Sequence, residues 1–269
     1  MQTIPQPVIL CPGCKKDHLT LDSNPNNEIQ CSGCSASYPQ KNGVFDLIPE
    51  FKEKRSLAQY FMEWKPLIKI YESRFWRQSS FFSIFTGISF KEEYEMVIQT
   101  MDIKGGEMIL DLACGSGIYT RPIAQKLKNG CIVGLDISIP MLDYASNKVN
   151  DENLKNIILI HGNALNLPFS NNEFHAVSCC GAVHLFPELT RVLSEINRVL
   201  KTGGRFTAAV FLKTPGRIGE YAASLHRMIG VNSFSPDELE QLLNQAGFNH
   251  AKCLHAKGVW MIMSATKPA

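Results

Sequence analysis

The sequence predicts an α/β protein: a seven-stranded, mostly parallel sheet with helices on both faces, preceded by a small cysteine-rich unit. Three observations carry this. From about residue 103 onward, short and nearly continuous apolar runs alternate with segments of helical periodicity, as expected of parallel strands buried on both faces. The run at 108–112, MILDL, breaks into the small-residue turn Ala113-Cys114-Gly115-Ser116-Gly117 before an apolar-periodic segment. That is a strand, a tight turn and a helix, where the missing Cβ of glycine lets a ligand approach the backbone. Finally, four cysteines near the N-terminus form two Cys-x-x-Cys pairs.

Composition narrows the classes. A chain of 269 residues, 45% apolar and 19% charged, is ordinary for a globular protein of two units. A net charge of +2 makes no strong electrostatic case for nucleic acid or membrane. No apolar run approaches the ~20 residues that span a bilayer. The start, MQTIPQPVIL, lacks the basic and apolar regions of a secretory signal, so a cytoplasmic setting is expected. The chain divides by composition into residues 1–50, 51–100 and 101–269.

In the first segment, Cys11-Pro12-Gly13-Cys14 and Cys31-Ser32-Gly33-Cys34 are separated by sixteen residues. This is the spacing of a tetrahedral zinc site, with Cys11, Cys14, Cys31 and Cys34 as thiolate ligands. A segment this short buries little core, so a metal cross-link accounts for its folding as a zinc ribbon. Disulfides or redox dithiols are the other use of such pairs. Four thiolates close the coordination sphere, which points to a structural or recognition role rather than a catalytic one.

Residues 51–103 read as helical and aromatic, with Tyr60, Phe61, Trp64, Tyr71, Phe75, Trp76, Phe81, Phe82, Phe85, Phe90 and Tyr94, and with Arg74 and Arg77 flanking Trp76. Packing against the next unit and a lid over a ligand both fit, and a lid would exclude water. Strands are expected at 107–112, 131–136, 156–161, 174–180 and 204–212, with a hairpin at about 249–256 and 258–266. Between them, PELTRVLSEINRVL places Leu189, Val192, Leu193, Ile196, Val199 and Leu200 on one helical face. Its end is expected at Lys201-Thr202-Gly203-Gly204, a basic turn followed by glycine. Ser235-Pro236-Asp237-Glu238 opens a further helix with an N-cap and a first-turn proline, and Gly247 closes it.

Asp136 ends the second strand, where a Rossmann-like sheet places an acid that accepts from ribose hydroxyls. A dinucleotide dehydrogenase fits poorly, because Thr120 occupies the place of the third glycine. The motifs DLACGSG, GLDIS, GNALNLPF and RVLKTGGRF resemble the class I S-adenosylmethionine-dependent methyltransferases, particularly the ubiquinone and menaquinone C-methyltransferases, over residues 101–269. With the cysteine pairs and YESRFWRQ, the chain also resembles uncharacterised plant plastid methyltransferases. The layout is similar to the rRNA guanine-N1 methyltransferases too.

The resemblance implies S-adenosylmethionine as cofactor and the following roles. Asp111 contacts the methionine amino group, and Ala113, Gly115 and Gly117 let the loop pass close. Asp136 binds both ribose hydroxyls, Ile137 packs on adenine, and Asn163 and Ala164 lie at its edge. Cys180 and Gly181 end the fourth strand beside the methionine moiety. Ala113 and Asn163 depart from the commoner Gly and Asp.

Methyl transfer from a sulfonium needs mainly orientation and desolvation. His184, after the fourth strand, is the candidate base where the acceptor carries a proton, with a packed histidine as the alternative. The leading expectation is a methyltransferase for a small, apolar acceptor. An rRNA base methyltransferase gripping RNA with the zinc unit is the second, and a non-catalytic cofactor-binding module the third.

Overall fold

The computed structural model describes residues 5–16, 18–20, 28–48, 79–228 and 230–269. Each cysteine pair sits in the turn of a short hairpin. β1 (Ile9–Leu10) and β2 (His18–Leu19) flank the first pair; β3 (Glu28–Gln30) and β4 (Ser37–Lys41) flank the second. β4 then turns at Asn42-Gly43 into β5 (Val44–Asp46), both turn residues adopting positive φ.

The main sheet is built from β6 (Met108–Leu112), β7 (Cys131–Asp136), β8 (Ile157–His161), β9 (Phe174–Cys180), β10 (Leu200–Phe211), β11 (Asn249–Lys257) and β12 (Trp260–Thr266). Their order is β11-β12-β10-β9-β6-β7-β8, and strands β8 through β10 are mutually parallel. β12 pairs antiparallel with both β10 and β11. This is the mixed α/β, Rossmann-like sheet that the alternation predicts. The sheet does not stop at β8, however. β5 adds to it in parallel and carries β4 and β3 with it, giving ten strands. Ile9, Leu19, Ile29, Phe45 and Leu47 share one apolar core with Leu110, Val133 and Ile160. The cysteine-rich unit is thus joined to the sheet by main-chain pairing and common burial.

Strand alternation sorts the core. Leu110, Leu112, Val133, Leu135, Val177 and Cys179 face α5 (Leu189–Val199) and α7 (Pro236–Gln245). Ile109, Ile132 and Ala176 face α2 (Phe90–Met101) and the short α3 (Thr120–Ala124). α4 (Ile139–Asp151) covers β8 with Leu142 and Ala145. Burying each such Leu, Ile or Val side chain contributes roughly 1.5–3 kcal/mol. α1 (Ser80–Thr86) precedes α2, and α6 (Arg217–Met228) lies between β10 and α7. The expected Ser235 cap of α7 is a capping box with Glu238, and Gly247 takes φ 85° past its end.

One boundary differs. α5 ends at Val199, and Leu200 is already extended, pairing with Phe174. Gly203 and Gly204 therefore do not terminate the helix. They sit in a register shift within β10 between Leu200 and Arg205, with Gly203 at φ 71°. A Cβ on Gly204 would lie 2.6 Å from the Lys201 carbonyl oxygen, so the pair serves a bulge. Of the aromatic segment, α1 and α2 bear out its helical reading. Phe90 and Tyr94 pack on the α2 face of the core, whereas Phe85 is exposed. Tyr60, Phe61, Trp64, Tyr71, Arg74, Phe75, Trp76 and Arg77 lie outside the described residues.

Candidate active site and cysteine cluster

A cavity opens at the carboxyl ends of β6, β7, β8 and β9. Asp111, Ala113, Gly115, Asp136, Ile137, Asn163, Ala164 and Cys180 all line it. Residues from four separate strand ends thus meet in one place, as expected where the strand order reverses. Gly117 does not line the cavity. It packs on α4, where an added Cβ would lie 3.3 Å from that of Ala145, and its φ of 78° suits glycine.

Asp111 is buried at the floor. Its Oδ2 accepts from the Thr120 hydroxyl at 2.5 Å and its Oδ1 from the Ser178 hydroxyl at 2.9 Å. Burial pushes its carboxyl up to about 6, against the opposing pull of those two hydroxyls and with help from the charge of Asp136. Asp136 is held by main chain: Oδ2 accepts from the Gly115 N–H and Oδ1 from the Ser138 N–H, both at 2.8 Å. Each carboxylate oxygen has capacity for a further donor. The Gly115 N–H therefore serves to orient Asp136, and α3 starts only at Thr120, beyond the loop. Ala113 adopts φ 55°, which explains why glycine suits that place. The Asn163 side-chain oxygen accepts from the Leu165 N–H at 2.9 Å and keeps a second lone pair.

Several lining residues carried no signal in the sequence. Ile118, Tyr119, Leu165, Leu185 and Phe186 complete the apolar wall. The phenol of Tyr119 donates to the buried carboxylate of Glu93, which also accepts from the Trp260 indole at 3.1 Å. Ser178 was legible in principle, as the hydroxyl within the buried run Ala176–Cys179. The thiols of Cys114 and Cys179 are pushed well up by burial, so both behave as small apolar groups.

His184 is not brought to the cavity. It is 4% exposed, lies against the Phe211 ring at 4.4 Å between centroids and the Trp260 ring at 6.2 Å, and is absent from the lining. Its neighbours Leu185 and Phe186 take the positions facing the ligand space. The packed alternative describes where it sits.

The four cysteine sulfurs lie within 4.8 Å of one another. Cys11 and Cys34 are 3.6 Å apart, and Cys14 and Cys31 are 3.7 Å apart. A tetrahedron with ~2.3 Å metal–sulfur bonds has edges of ~3.8 Å, whereas a disulfide needs ~2.05 Å. None of the four is joined in a disulfide, so that alternative is set aside and the cluster is compatible with zinc. Burial pushes the Cys11 thiol up, but hydrogen bonds from the Tyr38 hydroxyl at 3.2 Å and its cysteine neighbours bring it down to about 6, while the Cys11 contact helps push the Cys34 thiol up to about 12.

Comparison with known proteins follows the same lines. Residues 109–204 match the methyltransferase domain family. An uncharacterized chloroplastic methyltransferase of Arabidopsis thaliana is 26% identical over 97% of this chain and 78% of its own length. The demethylmenaquinone methyltransferase of Staphylococcus saprophyticus is 32% identical over 58% of this chain and 76% of its own. Phosphoethanolamine N-methyltransferase 2 of Haemonchus contortus, solved with S-adenosyl-L-methionine, shares the fold. Its TM-score is 0.63 at 17% identity, covering 81% of this chain and 62% of that one. The domain match spans the glycine loop and the strands that form the cavity, and the protein is a class I S-adenosylmethionine-dependent methyltransferase with an N-terminal four-cysteine cluster.

Proposed function

We propose that the cavity holds S-adenosylmethionine in an extended pose, and that the enzyme methylates a small, apolar molecule. The observation that carries this is the convergence of Asp111, Asp136, Asn163 and Cys180 on one cavity from four strands. Asp136, oriented by its two backbone bonds, meets the ribose hydroxyls. Ile137 covers one adenine face, Asn163 and Ala164 border its edge, and Asp111 faces the ammonium group. Bound there, the cofactor supplies an activated methyl group. The chain contributes orientation and an environment free of water. The cysteine cluster holds zinc in a closed, structural site.

The apolar acceptor is supported by the wall after β9, where Ala182, Leu185, Phe186 and Pro187 border the cavity and no Lys or Arg is found among its described lining residues. Similarity to a demethylmenaquinone methyltransferase supports a small-molecule acceptor as well. His184 has no part in this proposal; an acceptor that ionises in solution needs no base from the chain. The test offers tritium-labelled S-adenosylmethionine with a lipid and metabolite extract in one tube and ribosomal RNA in another. Label is expected in the organic extract. Label in RNA alone overturns the small-molecule reading, and failure of S-adenosylhomocysteine to bind at millimolar concentration overturns the cofactor site.

A further inference from the structure

The last residues of three neighbouring strands stand in one row. Asp46 of β5 is paired in register with His161 of β8, and His161 with Asp136 of β7. The row therefore runs from the cysteine-rich unit to the proposed ribose acceptor. Side chains connect it as well. His161 Nδ1 lies 2.6 Å from Asp46 Oδ1, and Nε2 lies 3.1 Å from the Ile137 carbonyl oxygen. Carboxylate and carbonyl oxygens only accept, so the two contacts together need the imidazolium form, with an N–H on each nitrogen; that ring, paired with the Asp46 carboxylate, ties β5 to the turn carrying Ile137. The residue is 9% exposed, and both ring nitrogens are engaged.

A second contact reaches the same region. The Ser146 hydroxyl of α4 donates to the Asn42 carbonyl in the β4–β5 turn, and the Asn42 amide donates to the Asn147 side chain at 3.4 Å. α4 begins directly after Ile137, capped by Ser138. The unit thus grips both the cofactor turn and the helix that leaves it.

We propose that the four-cysteine unit braces the adenosine half of the cofactor cavity through Asp46, His161 and the Ile137 carbonyl, an inference that rests on the cofactor reading above. Asp46 and His161 do not line the cavity, so they are positioning residues. A turn held before the ligand arrives need not be ordered at the expense of binding energy.

The test is calorimetric titration of the full chain with S-adenosylhomocysteine and with methylthioadenosine, which lacks the amino-acid end. His161→Asn keeps a donor near the Nδ1 position and loses the one to Ile137. His161→Gln places its donor near the Nε2 position. Asp46→Ala removes the anchor. The brace predicts that Asp46→Ala and His161→Asn each weaken both ligands to a similar extent, by about tenfold. Bound zinc and the thermal midpoint should be retained, and His161→Gln, which reaches Ile137 but loses the Asp46 contact, should be weakened like Asp46→Ala. Wild-type affinity in Asp46→Ala and His161→Asn, with or without a lowered midpoint, overturns the brace. Asp136→Ala is the control. Loss of both ligands there, beside unchanged positioning variants, sinks the brace alone, whereas unchanged binding in Asp136→Ala sinks the cofactor reading and the brace with it.

Discussion

At Asp111 the proposed binding role and the stability of the fold pull in opposite directions. Its carboxyl is fully enclosed and titrates near 6 rather than in the usual range near 4. The folded state therefore holds the proton more tightly than the unfolded chain. Its contribution to stability is fully present at acid pH and is lost as pH rises through that window, up to about 6. Asp111→Asn removes the buried charge while keeping an acceptor for Thr120 or Ser178. The variant should unfold about 2–5 °C higher than the parent at pH 7, a difference that vanishes below pH 4. Calorimetry across that range checks it. On the proposed amino-group role, cofactor affinity should have the opposite slope, because the ammonium group would pair with the carboxylate. S-adenosylhomocysteine should bind progressively more weakly as pH falls from 7 to 5, and a flat profile would remove Asp111 from the amino-group role.

Ala113 makes a cleaner case, because only its backbone is at issue. At φ 55° its Cβ crowds its own chain, a conformation that costs an alanine roughly 1 kcal/mol more than a glycine. Ala113→Gly should raise the thermal midpoint by about 2–4 °C in differential scanning, without loss of cofactor affinity. A lower midpoint would show that the Cβ is needed for packing. Nothing about the alanine itself signalled strain; the left-handed turn had to be seen.

Among the elements, β5 has the widest influence. It is three residues long, VFD, and Val44 and Phe45 are buried. Its pairing with β8 stitches the second cysteine hairpin to the sheet. The spacing of the cysteines announces a metal site, since thiolate ligands must recur at fixed offsets within tight turns. That spacing is silent about what the hairpins pack against. Cys14→Ala should lower bound zinc to well below one ion per chain by plasma emission analysis and make the hairpins sensitive to proteolysis. Stoichiometric zinc in that variant would overturn the four-thiolate site.

At the scale of the molecule, the unit and the sheet share one core, with Ile9 seated beside Phe169 and the Leu10 N–H donating to the Pro168 carbonyl. Removing residues 1–48 would bare the β8 edge and the apolar surface beneath the unit, a template for association. The truncated chain should aggregate or lose cooperative unfolding in gel filtration and thermal melts. A monomeric, cooperatively folding fragment would show the two parts to be independent. The zinc-ribbon and sheet divisions read from composition do not distinguish these outcomes, because composition carries no information on pairing between distant strands.

The order of strands, the glycine loop, Asp136 at a strand end and the two cysteine pairs are all legible in the chain, because each follows from local pattern: alternation, helical period, turn chemistry and ligand spacing. Contacts across long sequence separations are not. The exclusion of His184 from the cavity, the hold of Thr120 and Ser178 on Asp111, and the row from Asp46 through His161 to Asp136 depend on which strands lie side by side. Neighbouring positions in a sheet are set by burial of whole faces and by main-chain pairing, and residues 115 positions apart, such as Asp46 and His161, meet only once those have formed.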